Sequence, residues 1–189
     1  MPRRKPVLAM RHDDWIGLAA DALRRDGPAA LTIDNLCHRA RRTKGSFYHH
    51  FKSIDELRRA VVQHWIDGET EAVARTALAG SGPKERLEAM SRLTAASDHR
   101  LELGVRSLAT SDPAITELVA RADDRRELVM TSLLATAYRI RGEDAHHLAQ
   151  LFHALHLAAL IRAPLDAAGF TSGPVRTLMR MLERETVAG

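Results

Sequence analysis

Apolar positions along this chain recur three and four residues apart, the spacing of a helix face, and almost nowhere alternate with the period of two that a strand requires. Trp15, Ile16, Ala19, Ala20 and Leu23 form one stripe and predict a helix over residues 12–25. Thr32 caps a short helix over 33–40, whose inward face is Ile33, Leu36, Cys37 and Ala40. A third short helix is predicted over 43–50. Ser53 and Glu56 then make a capping box, which opens a fourth helix carrying Leu57, Val61 and Trp65 and running to Leu78. Gly68, inside that helix, weakens it by about 1 kcal/mol, and reads equally as a place to bend or as a simple surface glycine.

Further helices are predicted over 83–97, 100–110, 113–140, 144–163 and 173–186. Breaks such as Ser81-Gly82-Pro83 and Ser111-Asp112-Pro113 separate them, each followed by a helix start with proline in the first turn. The reading is an all-α chain. The helix from Ala145 carries two apolar stripes. Leu148, Leu151, Phe152, Leu155 and Ala159 lie on one side, and Ala154, Leu157, Ala158 and Ile161 on the other. A helix apolar over so much of its circumference is buried on both sides, either in a core or at a subunit interface. The next helix is amphipathic through Val175, Leu178, Met179 and Leu182. Two such helices at this place in the chain predict a dimer interface.

Composition narrows the class. The longest apolar run, Leu157–Ile161, is far too short to span a bilayer, and Pro2-Arg3-Arg4-Lys5-Pro6 leads into no apolar core of a secretory signal. The single cysteine, Cys37, excludes an intrachain disulfide and fits a reducing, cytoplasmic setting. Charge is unevenly placed. Residues 1–60 hold 13 Lys and Arg against 7 Asp and Glu, whereas residues 61–189 hold 15 against 17. A basic front end on a slightly acidic body predicts that the front end meets a polyanion. Residues 1–11 read as a basic flexible tail.

Positions 35–54 contain no acidic residue at all, and within them lies Thr43-Lys44-Gly45-Ser46-Phe47-Tyr48-His49-His50-Phe51. Two short helices with a tight turn, the second basic and hydroxyl-rich, describe a helix-turn-helix. Phe47 and Phe51 are four apart and form the packing side. Lys44, Ser46, Tyr48 and His49 are left for a DNA groove and its walls. Thr32 and Thr43 place two helix amino termini, whose free N–H groups favour phosphate oxygens.

On these residues the chain resembles the TetR family of transcriptional regulators. The resemblance is carried by Ala19-Ala20, Leu23, Gly27, Leu31-Thr32-Ile33, Leu36, Ala40, the 43–51 stretch and Leu57. Gly104-Val105-Arg106, Ser111-Asp112-Pro113 and Asp124-Arg125-Arg126 add a weaker likeness to the regulatory domain. The resemblance implies a helix-turn-helix domain over 12–56 and a ligand-binding and dimerisation domain over 57–189. It implies a homodimer that binds a palindromic double-stranded DNA operator and is released by a small-molecule inducer, acting in most cases as a repressor. Thr32, Thr43, Lys44, Ser46, Tyr48 and His49 match the family's DNA-facing positions. The inducer pocket would be lined by Trp65, Met90, Leu93, Met130, Leu134 and Tyr138.

Two departures bear on DNA reading. Arg41-Arg42 stands where the family has Gly-Val in the turn, and Ile54 stands where a lysine follows the serine. Arg42 and Lys52 are candidates to restore the phosphate contacts. The alternative reading is a ligand-binding or interaction module with only weak, non-specific DNA binding. The histidines of 146–156 do not read as a metal site: only His153 and His156 are suitably spaced, and two ligands need a third. The chain carries no Gly-rich phosphate loop, nucleophile elbow or His-Glu-x-x-His, so neither an enzyme nor a cofactor is expected.

Overall fold

The structure is a computed structural model that describes residues 10–140, 142–162 and 172–188. Most of the predicted basic tail, residues 1–9, lies outside the described residues. Among these residues the fold is all-α, with no strand.

Local chemistry sets the first elements. Helix α1 (His12–Asp26) ends at Gly27, whose φ of 75° suits a residue without a Cβ, and a 3-10 turn follows at Pro28–Ala30. Helix α2 (Ile33–Ala40) starts where the Thr32 side chain accepts from the Asn35 N–H at 3.3 Å. Helix α3 (Lys44–Tyr48) starts where Thr43 accepts from the Ser46 N–H at 3.3 Å. Helix α4 (Ile54–Ile66) opens on half of the predicted box: Ser53 accepts from the Glu56 N–H at 3.1 Å, but the Glu56 carboxylate reaches past Ser53 and accepts from the Lys52 N–H at 2.6 Å. These helices share a core of Trp15, Leu23, Leu36, Phe47, Phe51 and Leu57, with the Trp15 and Phe47 rings edge to face at 5.5 Å.

At Gly68 the helix widens into one π-helical turn, Asp67–Glu71, after which the chain resumes as α5 (Ala72–Leu78). Then follow α6 (Pro83–Ala95), α7 (His99–Ala109), α8 (Pro113–Tyr138), α9 (Glu143–Arg162) and α10 (Ser172–Ala188). Asp112 caps α8 ahead of Pro113, and Arg139, at φ 57°, ends it two residues short of the predicted limit.

The apolar core divides in two. Leu101, Val105 and Leu108 of α7 and Ile115, Val119 and Ala122 of α8 join the core of α1–α4. The second core joins α5, α6, the carboxyl half of α8, α9 and α10 through residues such as Ala77, Leu87, Leu134 and Phe152. Helix α8 thus runs through both cores, whereas the apolar side chains of α7 lie in the first.

The two helices predicted to dimerise differ in what they expose. On α9, Ile161 is 71% exposed, Ala154 is exposed, and Leu157 and Ala158 are half-buried. On α10 the stripe predicted for the interface turns inward: Leu182 is buried, and Val175, Leu178 and Met179 pack against the second core. An amphipathic helix with one apolar stripe covers its own chain first. Leu151 of α9 and Met181 of α10 are also exposed apolar side chains.

Candidate DNA-reading surface and ligand cavity

The turn between α2 and α3 shapes the first site. Arg41 adopts a left-handed conformation, φ 52° and ψ 48°, and the Arg42 N–H reaches back to the Cys37 carbonyl at 2.9 Å. The turn therefore keeps the geometry that glycine favours, at a cost of about 1–2 kcal/mol for an L side chain. Thr32, Thr43, Lys44, Tyr48, His49 and Lys52 are exposed, while Arg42 and Ser46 are half-buried beside the turn. Tyr48 is 54% exposed, although its neighbours Phe47 and Phe51 are fully buried. The sequence-predicted reading residues share one region, therefore, with the aromatics divided between core and surface. Lys44 Nζ is paired with Asp34 Oδ1 at 2.7 Å. That carboxylate, from α2, is the acidic group the 35–54 window did not disclose. Ile54, in place of a lysine, packs against the first core.

The second site is a partly open cavity of about 1070 Å³ lined by the π-turn, α5, α6, α8, α9 and α10. Of the predicted pocket residues, Met90 and Met130 line it. Leu93, Leu134 and Tyr138 do not; they pack in or against the second core. Trp65 is buried in the first core with the Arg126 guanidinium 4.8 Å from its ring centroid, and it does not line the cavity either. Val175 and Met179, expected at a dimer interface, are cavity wall.

One end of the cavity is polar. Thr70, Arg126, His153 and His156 line it, and behind them lies Glu102 of α7, 1% exposed. The Glu102 carboxylate accepts from Arg106 Nη2 at 2.8 Å, Arg126 Nη1 at 2.7 Å and His156 Nε2 at 3.2 Å. Asp123 accepts from Arg106 Nη2 at 2.7 Å, and Arg126 Nε donates to Thr70 Oγ1 at 3.0 Å. Burial alone would raise the Glu102 carboxyl, but the His156 hydrogen bond and the Arg126 charge outweigh it and hold the group well below the usual carboxylate range. Burial pushes the His153 imidazole below its ordinary value, against the pull of Asp123. Sequence reasoning missed this network. Its local trace was the i, i+4 pair Glu102–Arg106, which reads as an ordinary helix-surface pair.

Residues 16–61 match the family described as bacterial regulatory proteins, tetR family. Over those residues the chain is similar to the amino-terminal region of the TetR family. Solved structures extend the likeness over the rest of the chain. A TetR-family transcriptional regulator from Agrobacterium tumefaciens shares 20% identity and a TM-score of 0.75, over 92% of this chain and 96% of that one. A candidate transcriptional regulator from Saccharomonospora viridis, in complex with choline, shares 18% identity and a TM-score of 0.74, over 92% and 93%. The ketosteroid transcriptional regulator of Mycobacterium tuberculosis shares 16% identity and a TM-score of 0.63, over 91% and 92%. At these identities the likeness is one of TetR fold. No curated protein matches the chain. Among the described residues, no helix is long and apolar enough to cross a membrane.

Proposed function

We propose that this chain is a ligand-controlled transcriptional regulator, a homodimer whose two helix-turn-helix units read the half-sites of a palindromic operator. The observation that carries the reading is the pairing of two sites in one chain: a carboxylate-poor reading helix at one end and a large cavity at the other. Helix α7 lies between them: its apolar side chains share the core of α1–α4, and its Glu102 pairs with the cavity residues Arg126 and His156.

The proposed DNA contacts are Thr32, Arg42, Thr43, Lys44, Ser46, Tyr48, His49 and Lys52. Thr32 and Thr43 present helix amino termini to phosphates, and Tyr48 and His49 face the groove. Two reading heads fit successive major grooves only when held about 34–36 Å apart. A ligand that binds the cavity better in a conformation with another spacing releases DNA through that difference in affinity alone. For the dimer surface, Ala154, Leu157, Ala158 and Ile161 of α9 are the stronger candidates, joined by Leu151 and Met181.

Selection of bound duplexes from a random DNA library, at near-physiological salt, tests this reading. An enriched inverted repeat is expected. Binding that vanishes as salt rises, with no enrichment, would leave phosphate attraction alone and favour an interaction module that does not read sequence.

A further inference from the structure

The charges at the polar end of the cavity already have partners. Glu102 and Asp123 pair with Arg106 and Arg126 within one hydrogen-bonded cluster, and His156 also hydrogen-bonds to Glu102. His153, depressed by burial, adds no charge at neutral pH. A ligand that brought a charge to this end would leave it without a counter-charge in a poorly solvated place, which costs several kcal/mol per ion. The other charged lining groups, such as Arg92, Arg176, Glu88 and Glu183, are exposed and keep their water; Glu69 is half-exposed.

Hydrogen-bonding capacity is left over at the same end. Arg126 has five N–H groups, and three are used: Nε on Thr70, and Nη1 and Nη2 on Glu102 at 2.7 and 3.5 Å. The His153 side chain is nine-tenths buried, and its Nε2 lies 3.5 Å from Asp123 Oδ1 without a hydrogen bond. A buried polar atom left in this state costs free energy until something answers it. The remaining wall is apolar, through Val73, Met90, Val129, Met130, Phe152 and Met179.

We infer that the cavity takes an uncharged amphipathic molecule, its apolar body against Met90, Met130 and Phe152 and its carbonyl or hydroxyl group held at the polar end by Arg126 and His153. The inference rests on the cavity being the regulator's ligand site, but its test needs no DNA.

Displacement of the neutral dye N-phenyl-1-naphthylamine from the full-length protein at pH 7.5 would compare four probes of matched chain: 2-nonanone, 1-chlorooctane, octanoate and octylammonium. The ketone should bind at least about 10-fold more tightly than either ion, and at least about 5-fold more tightly than the chloroalkane, which lacks a strong acceptor. His153→Leu should erase the preference of ketone over chloroalkane, and His153→Gln should keep it. Tightest binding by octanoate or octylammonium would overturn the charge assignment. Equal binding of ketone and chloroalkane to the parent protein, which needs no variant to fold, would overturn the reading of the head group. A chain that shows the ketone preference but selects no operator would lose the regulator function and keep this ligand class; the reverse pattern would do the opposite.

Discussion

A Cβ placed on Gly104 of α7 would lie 2.6 Å from Cγ of Leu23 on α1, so the two helices meet where a side chain cannot fit. Leu23 is fully buried, and its Cγ is too near the backbone to swing away. Beside this contact, Arg24 pairs with Asp98, which caps α7. Two residues before Gly104 on the same helix stands Glu102. Gly104→Ala gains about 1 kcal/mol in helix propensity but meets an overpacking cost of about 1–3 kcal/mol. A net loss of roughly 1 kcal/mol is expected, read by urea denaturation. Adding Leu23→Ala should remove the penalty of the Gly104 change, giving a coupling of opposite sign in the double-mutant cycle. Additive effects would mean that α1 and α7 do not constrain each other here.

Arg41 invites the reverse substitution. Its left-handed backbone is one glycine adopts freely, so Arg41→Gly should stabilise the chain by about 1 kcal/mol. The same change removes a positive charge from the turn and should weaken binding to duplexes of any sequence. A variant no more stable than the parent in urea would show that the Arg41 side chain offsets the strain through contacts of its own.

The helix-turn-helix was legible in the sequence because its determinants are local. Thr32, Thr43 and Ser53 cap helices within three residues of themselves, and Phe47 and Phe51 reveal a packing side by spacing alone. The cavity was legible only in part. Met90 and Leu134 carry the same apolar signal, yet one is wall and the other is core, and the difference lies in neighbours far along the chain. Trp65 was placed in the pocket by its position on the fourth helix, but it lies before the π-turn and faces the first core. The cluster of Glu102, Asp123, Arg126 and His156 comes from three helices, so no window of sequence contains it. Helix α10 shows a further limit: periodicity finds an apolar stripe but does not say whether its own chain or a partner will cover it.

At the DNA surface, Tyr48→Ala combined with His49→Ala should lower affinity for the selected operator at least about 10-fold while leaving the helical content unchanged. A loss under about 2-fold in a fluorescence-anisotropy titration would remove both residues from the interface. Lys44 and Asp34 make a finer test because they are paired. Lys44→Ala should weaken all duplexes and reduce the slope of log K against log salt by about 0.9, the share of one phosphate contact. Asp34→Asn frees Lys44 and takes a carboxylate away from the groove side, so its affinity for unselected DNA should rise. A fall instead would mean that Asp34 holds Lys44 in its binding position.

Acid should unfold the protein in two stages. The half-buried His99 and the more deeply buried His153 have folded-state values below the ordinary 6.5, so as pH falls through 6.5 the unfolded chain takes up protons that the folded chain refuses. Stability is therefore full above that value and declines beneath it. Glu102 acts in the same direction at lower pH. Its folded value is depressed, so its contribution is complete above the unfolded value near 4.5 and is lost as pH drops further. The melting temperature should fall by at least about 3 °C between pH 7.5 and 5.5 at fixed protein concentration, measured by circular dichroism. His153→Leu removes one of the groups responsible and should shrink that difference, whatever it does to the melting temperature at pH 7.5. An unchanged pH dependence in the variant would show that His153 takes up protons equally well in the folded chain, and with that its uncharged state at the polar end of the cavity would fail.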